Sequence, residues 1–260
     1  MRWWKTPRFV KDEEDYKNIL AVIKKYFPQL KATHLQLASR STFPATYVIE
    51  YTQYCKRANL IDADLPLSTI DRLFIASNFE VEKTDDNPDK GLIRFEFLEL
   101  LVRVAKVKLH QPGLVPTLAE AVEKVIAEHI LPVAEYHEWQ GFRDHVLYTV
   151  EVNDVLHTNQ AIIKRVYDSY LTTSKKFFTM ADATDLFAAK SECAMLPKDV
   201  MYCYGMSKMT VPLENGEIVK YDRLLFVEFL EMIGRVADFK FKGTELEDIA
   251  LDKKIEEILD

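Results

Sequence analysis

Residues 85–96 read DDNPDKGLIRFE. In a twelve-residue frame Asp85 stands at position 1, Asn87 at 3, Asp89 at 5 and Glu96 at 12. Carboxylate and amide oxygens at those positions can close around a hard divalent cation, with the backbone carbonyl of position 7 adding a further ligand. The chemistry implied is the binding of one Ca2+. The frame carries one flaw: position 6, where such a loop needs glycine, holds Lys90, and Gly91 comes one place late. Lysine is strained at positive φ and brings its own positive charge beside the ion. Pro88 further restricts Asn87. Two readings follow, a loop that holds one Ca2+ and a loop that keeps its shape without the metal. The missing glycine favours the second.

Glu96 also opens an internal repeat. Residues 96–108, EFLELLVRVAKVK, and 228–240, EFLEMIGRVADFK, are identical at eight of thirteen positions, at a fixed offset of 132. The chain therefore reads as two copies of one helical unit. In the second copy Glu228 at position 12 puts Glu217, Val219 and Tyr221 at 1, 3 and 5, which cannot make a cage. Leu171, Thr173 and Lys175 precede Asp182, again without ligands. Before Asp71 the corresponding residues are Leu60, Asp62 and Asp64, or Ala58, Leu60 and Asp62 in the alternative register, and the first ligand is absent either way.

Apolar spacing predicts the helices that position these loops. Tyr16, Ile19, Leu20, Ile23 and Tyr26 mark a helix over 12–27, ended by Pro28. Further helices are expected over 47–56, from Ser68, from Arg94, from Thr117 to Pro132, over 138–150, from Thr158 and from Thr179. Leu186-Phe187 echo Leu73-Phe74 and Tyr167/Tyr170 echo Tyr51/Tyr54, so the second copy is expected to carry 19 extra residues within 192–225. Asn215-Gly216 in that stretch signals a short β-hairpin, because both turn residues favour positive φ. A terminal helix carries Leu251, Ile255, Ile258 and Leu259 on one stripe.

Composition narrows the function. With 260 residues, 48% of them apolar, the chain can bury a substantial core. A net charge of −7 gives no basic face for nucleic acid. The three cysteines lack CxxC spacing and fit buried free thiols in a reducing compartment. No signal peptide and no run of about 20 apolar residues is present, so a soluble intracellular protein is expected. Seven glycines form no phosphate-binding loop, and the six histidines form no motif, which argues against an enzyme.

Together the two Glu-Phe-Leu units resemble the calmodulin superfamily, with two EF-hand pairs. More narrowly, LSTIDRLFIASNFE (67–80), NPDKGLIRFEFLELLVRVAKVKL (87–109) and VNDVLHTNQAIIKRVYDSYL (152–171) resemble a group of degenerate EF-hand proteins of ciliated and flagellated protists. The resemblance implies an all-α protein with two EF-hand-like helix-pair lobes and a helical linker. The expected division is an N-terminal segment and helix over 1–33, lobe 1 over 34–112, the linker over 113–154, lobe 2 with its hairpin over 155–242, and a terminal amphipathic helix over 243–260. It also implies a structural or adaptor role in an axonemal microtubule assembly, with tubulin or other axonemal proteins as partners and no nucleic acid or membrane. Trp3 and Trp4, flanked by Arg2, Lys5 and Arg8, and the stripe Leu251, Ile255, Ile258 and Leu259 are the candidate partner contacts. The alternative is a calcium-sensing regulatory subunit that binds one Ca2+ through Asp85, Asn87, Asp89 and Glu96; otherwise no cofactor is expected.

Overall fold

Asp12 caps the first helix, α1 (Glu13–Lys25), by accepting from the Asp15 N–H, and Ile19 and Ile23 turn inward from it. Pro28 ends that run by opening the next helix, α2 (Phe27–Ser39), from its first turn, where a missing N–H costs nothing. Sequence reasoning assigns α2 no helix because buried Thr33, His34, Gln36 and Ser39 interrupt its apolar face. Two of them are satisfied locally: Thr33 Oγ1 donates to the Gln29 carbonyl at 2.9 Å and Ser39 Oγ to that of Leu35 at 2.7 Å.

The computed structural model describes residues 5–79, 89–134, 139–212 and 214–259. The chain divides into two units, residues 1–136 with 214–216, and residues 137–213 with 217–260. Among the described residues the fold is all-α apart from two two-residue strands, β1 (Thr46–Tyr47) and β2 (Gly91–Leu92). No described helix is long and apolar enough to cross a membrane.

In the first unit α3 (Val48–Arg57) packs on α4 (Leu67–Asn78), and α4 on α5 (Arg94–Ala105). Helix α6 (Leu118–Val125) lies against both α1 and α5, and α2 lies against α5. Antiparallel pairing of Thr46 with Leu92 and of Tyr47 with Gly91 joins the α2–α3 loop to the α4–α5 loop. The core gathers Tyr51, Phe74, Leu92, Phe97, Leu101 and Val122.

The second unit starts with a short helix, α7 (Trp139–Phe142), which continues as a π-helical turn over Arg143–Leu147. It goes on with α8 (Val150–Thr158), α9 (Gln160–Ser169), α10 (Met180–Thr184) with a π-helical extension to Lys190, and α11 (Pro197–Ser207). It ends with the short helix α12 (Glu214–Glu217), whose first three residues group with the first unit, then α13 (Phe226–Lys240) and α14 (Leu251–Leu259). Its pairings repeat those of the first unit: α10 on α11, α11 on α13, α9 on α13, and α14 on both α8 and α13. An antiparallel bridge between Phe178 and Leu224 joins its two loops.

This geometry corrects three sequence expectations. First, the loop paired with residues 85–96 precedes Glu50, whereas the sequence register placed it before Asp71. Thr46 and Phe178, like Leu92 and Leu224, then differ by the same 132 as the repeat helix. Leu73-Phe74 matched Leu186-Phe187 only because such pairs are common on helices; in the fold Phe74 and Ser77 correspond to Tyr204 and Ser207. The copies thus differ there by two residues, where 19 were expected.

Second, the expected hairpin is helical. Gly216 does take φ +99, yet Glu214–Glu217 is α-helical and Ile218–Asp222 is a 3-10 turn. An isolated two-stranded hairpin is marginal in water. Here Tyr221 is buried instead, and its carbonyl accepts from Tyr204 Oη at 3.2 Å.

Third, residues 113–154 are not a linker, because α6 belongs to the first unit and Arg143–Leu147 to the second. The terminal helix α14 is likewise the counterpart of α6, so it completes the second copy.

Candidate functional site

Each helix–loop–helix places one carboxylate at the start of its second helix: Glu50, Glu96, Asp182 and Glu228. What binds these four groups decides what the loops can do.

Glu96 is fully buried. Its Oε1 lies 3.2 Å from the Lys5 ammonium, and its Oε2 accepts from Ile93 N–H at 3.4 Å and Asn78 Nδ2 at 3.5 Å. Lys5 Nζ also donates to the carbonyls of Ser77 (2.9 Å) and Phe79 (2.8 Å), so the end of α4 helps to hold the ammonium. The Lys5 backbone N–H donates to Glu99 Oε2 at 3.1 Å, while Arg103 holds Glu99 Oε1 at 2.9 Å. Burial pushes the Glu99 carboxyl above the usual range, and Arg103 and Lys5 pull it back.

Glu228 repeats the arrangement with a different lysine. Lys208, at the end of α11, donates to Glu228 Oε1 at 2.6 Å and Oε2 at 2.9 Å, and to the Arg223 carbonyl at 3.1 Å. The N–H groups of Met209 and Leu225 donate to the same carboxylate at 2.9 and 2.7 Å. Asp182 receives Lys175 Nζ at 2.5 Å, together with the N–H and hydroxyl of Thr179. Glu50 receives the Ser41 hydroxyl at 3.0 Å. Three of the four carboxylates thus hold a lysine ammonium, and the fourth holds a hydroxyl.

Among the proposed ligands of residues 85–96, Asp85 and Asn87 lie outside the described residues, Asp89 is exposed and Glu96 faces Lys5. Lys90 takes φ +70, the left-handed turn that the sixth position demands, and its N–H donates to Asn78 Oδ1 at 2.8 Å. Gly91 serves another purpose. A Cβ there would sit 2.9 Å from Ala45 Cβ and from the Tyr47 ring, so glycine permits the strand pairing. Of the second copy's candidate positions, Glu217 and Val219 are helical and Tyr221 is buried. Among the described residues no group of three or more His, Cys, Asp or Glu is placed to hold a metal ion.

Of the candidate partner contacts, Trp3 and Trp4 lie outside the described residues. Leu251 and Ile255 are buried where α14 packs on α8 and α13, and Ile258 and Leu259 are half-buried. That stripe is spent within the chain, for the same reason that α6 is spent on α1 and α5.

No described histidine faces a nucleophile or acid in a catalytic geometry. His34 Nε2 lies 3.0 Å from the Leu92 carbonyl, which can only accept, so Nε2 carries the proton. Burial, with Arg94 nearby, brings its pKa down to about 4. Burial also pushes the Cys55 and Cys203 thiols up to about 12, which leaves them inert.

Lys5, Lys208, Arg143 and the Ser41–Glu50 pair have no local sequence signal. Only Lys175, at position 5 before Asp182, does.

The first unit also carries an apolar groove of about 810 Å³ between α3 and α4, lined by Val48, Ile49, Leu67, Phe74 and Ile75. No family model, no curated protein and no solved structure matches the chain.

Proposed function

We propose that the chain is a non-enzymatic, EF-hand-like structural or adaptor protein whose loops hold their shape with internal cations. The pairing of Lys208 with Glu228, repeated by Lys5 with Glu96, carries this reading. A calcium loop needs several acidic oxygens free to turn to the ion. Here the last carboxylate is already neutralised by an ammonium and by backbone N–H groups. Such a loop stays in one state, which suits a fixed scaffold better than a switch. Placement in a ciliary or flagellar microtubule assembly rests on the sequence resemblance, and co-sedimentation with polymerised tubulin tests it. Failure to pellet with microtubules removes that placement.

A second reading keeps one Ca2+ in residues 85–96. It is favoured by Asp85, Asn87 and Asp89 in sequence and by the left-handed Lys90. In that case Lys5 must leave Glu96 for the ion to enter. Calorimetric titration with Ca2+ separates the two.

A further inference from the structure

Residues 5–10 bridge the end of α4 and the start of α5 in the first unit. The Lys5 ammonium donates to the Ser77 and Phe79 carbonyls at 2.9 and 2.8 Å and lies 3.2 Å from Glu96 Oε1, while the Lys5 N–H is on Glu99. One 3-10 turn, Thr6–Arg8, follows. It leads to Phe9, whose ring lies 4.2 Å from the Arg103 guanidinium and whose carbonyl accepts from Lys106 Nζ at 3.0 Å. Thr6 and Val10 are buried. Exposed Lys11 and Asp12 then lead into α1. These contacts come from six consecutive residues, so the segment can leave its seat without breaking α1, α4 or α5.

The second unit is built otherwise. There the ammonium that faces Glu228 belongs to Lys208, the residue that follows α11. That helix pair carries its own cation and has none to release.

The N-terminal segment is also an imperfect ligand for its seat. Thr6 is fully removed from water, yet among the described residues its hydroxyl finds no hydrogen-bond partner. A buried hydroxyl without a partner is penalised relative to a methyl group of the same size. Valine in that place would fill the same space without the penalty. The short tether offsets the fault, because a segment linked so closely acts at an effective concentration of about millimolar.

We propose that this seat is a docking site for a segment of a partner protein, and that the chain's own residues 5–10 hold it shut. The contacts specify the partner. It brings a lysine for Glu96 and the two α4 carbonyls, a valine in the next place, an aromatic residue four places after the lysine for Arg103, and an apolar residue after that. When the partner enters, residues 5–10 leave. The inference rests on the adaptor reading for its use and on the contacts of residues 5–10 for its geometry. Microtubule pelleting or a Ca2+ titration, on one side, and the test below, on the other, therefore fail independently.

The probe is a peptide of residues 4–11 with a dye at its C-terminus, in three forms: unchanged, with Thr6→Val and with Lys5→Met. Fluorescence anisotropy follows its binding to the wild-type chain and to a full chain whose own segment is disabled by Lys5→Glu with Phe9→Ala. A glutamate there meets Glu96 and Glu99 and is repelled. Far-ultraviolet circular dichroism checks the helices; where the double variant loses them, Phe9→Ala alone is the open host, with the same order of affinities expected. The expected result is saturable binding of the unchanged peptide to the disabled chain, and binding about tenfold weaker to the wild type, whose seat is filled. On the disabled chain the valine peptide binds about threefold more tightly than the unchanged one, and the methionine peptide about tenfold more weakly. No saturable binding to the open host, equal affinity for the two chains, or a valine peptide no tighter than the threonine one overturns the proposal. So does a wild-type dimer in sedimentation that excess peptide dissolves, since residues 5–10 of a second copy would then fill the seat.

Discussion

Lys208 Nζ sits within 2.9 Å of both carboxylate oxygens of Glu228, with the pair almost entirely removed from water. Two charges at that depth are tolerated only because they meet each other and the surrounding N–H and carbonyl groups. Removing one leaves the other buried and unpaired. Lys208→Met is therefore expected to cost about 3–5 kcal/mol of stability. Lys208→Met with Glu228→Gln should cost clearly less than the single change, because the uncompensated charge is gone. Urea denaturation of the three proteins measures both, and equal losses for the single and double variants would contradict the pairing as the source of the effect.

Lys5 makes the matching contact from the chain's N-terminal segment. Glu96 keeps Asn78 Nδ2 and the Ile93 N–H when Lys5 is lost. Those contacts are long, at 3.5 and 3.4 Å, and Glu96 is as deeply buried as Glu228, so the expected cost of Lys5→Met is again about 3–5 kcal/mol. The loss should be confined to the first unit, so amide exchange ought to speed up around Ser77, Phe79 and Glu96 and stay unchanged around Glu228. Uniform acceleration through both units would contradict it.

The loop-to-loop strand pairing depends on the absence of a side chain at Gly91. Gly91→Ala drives a methyl into Ala45 and Tyr47, two groups fixed by β1, and is expected to cost about 1–3 kcal/mol. Its neighbour runs the other way. Lys90 holds a left-handed φ of +70 that disfavours a β-carbon by about 1–2 kcal/mol. Lys90→Gly relieves this and loses part of the gain to chain entropy, for a net rise of up to about 1 kcal/mol. Thermal melts of the two variants should move in opposite directions.

His34 makes the first unit acid-sensitive. Its folded pKa of about 4 lies below the unfolded value near 6.5, so between these limits the unfolded chain binds a proton that the folded chain refuses. The stabilising contribution is present in full above pH 6.5 and is lost as pH falls toward 4. At about 1.4 kcal/mol per pH unit the loss reaches about 3 kcal/mol. Stability measured across this window should fall with pH in the wild type and fall less in His34→Gln, an uncharged side chain that can still donate to Leu92. Parallel profiles would remove His34 as the cause.

What could be read from the sequence follows the range of each interaction. The α5/α13 repeat was plain because eight identical residues stand at one offset, and α1 and α6 were plain because Asp12 and Thr117 cap amphipathic runs. Helix α2 is hidden by buried polar residues, two of which, Thr33 and Ser39, bond its own backbone carbonyls, while His34 bonds the distant Leu92 carbonyl. Leu-Phe pairs give the wrong copy-to-copy register, because they mark any apolar helix face. The strand pairing of Thr46 with Leu92 depends on folding and fixed it correctly. The cation that faces Glu96 could not be read at all, because Lys5 lies 91 residues away and no local pattern links them. Lys175, seven residues before Asp182 inside one loop, could be. Glu96, Asp182 and Glu228 are therefore legible in the sequence. Glu50 is not, since Asp71 stands in its place there, and the groups that neutralise these acids belong mostly to tertiary structure.

The central claim is that internal donors, and not a metal, satisfy the carboxylates that end the four loops. Calorimetric titration of the full chain with Ca2+ at physiological ionic strength tests it most directly. The account predicts no saturable heat up to millimolar Ca2+, in the wild type and in Glu96→Ala alike. A one-site isotherm in the micromolar range that Glu96→Ala abolishes would contradict it.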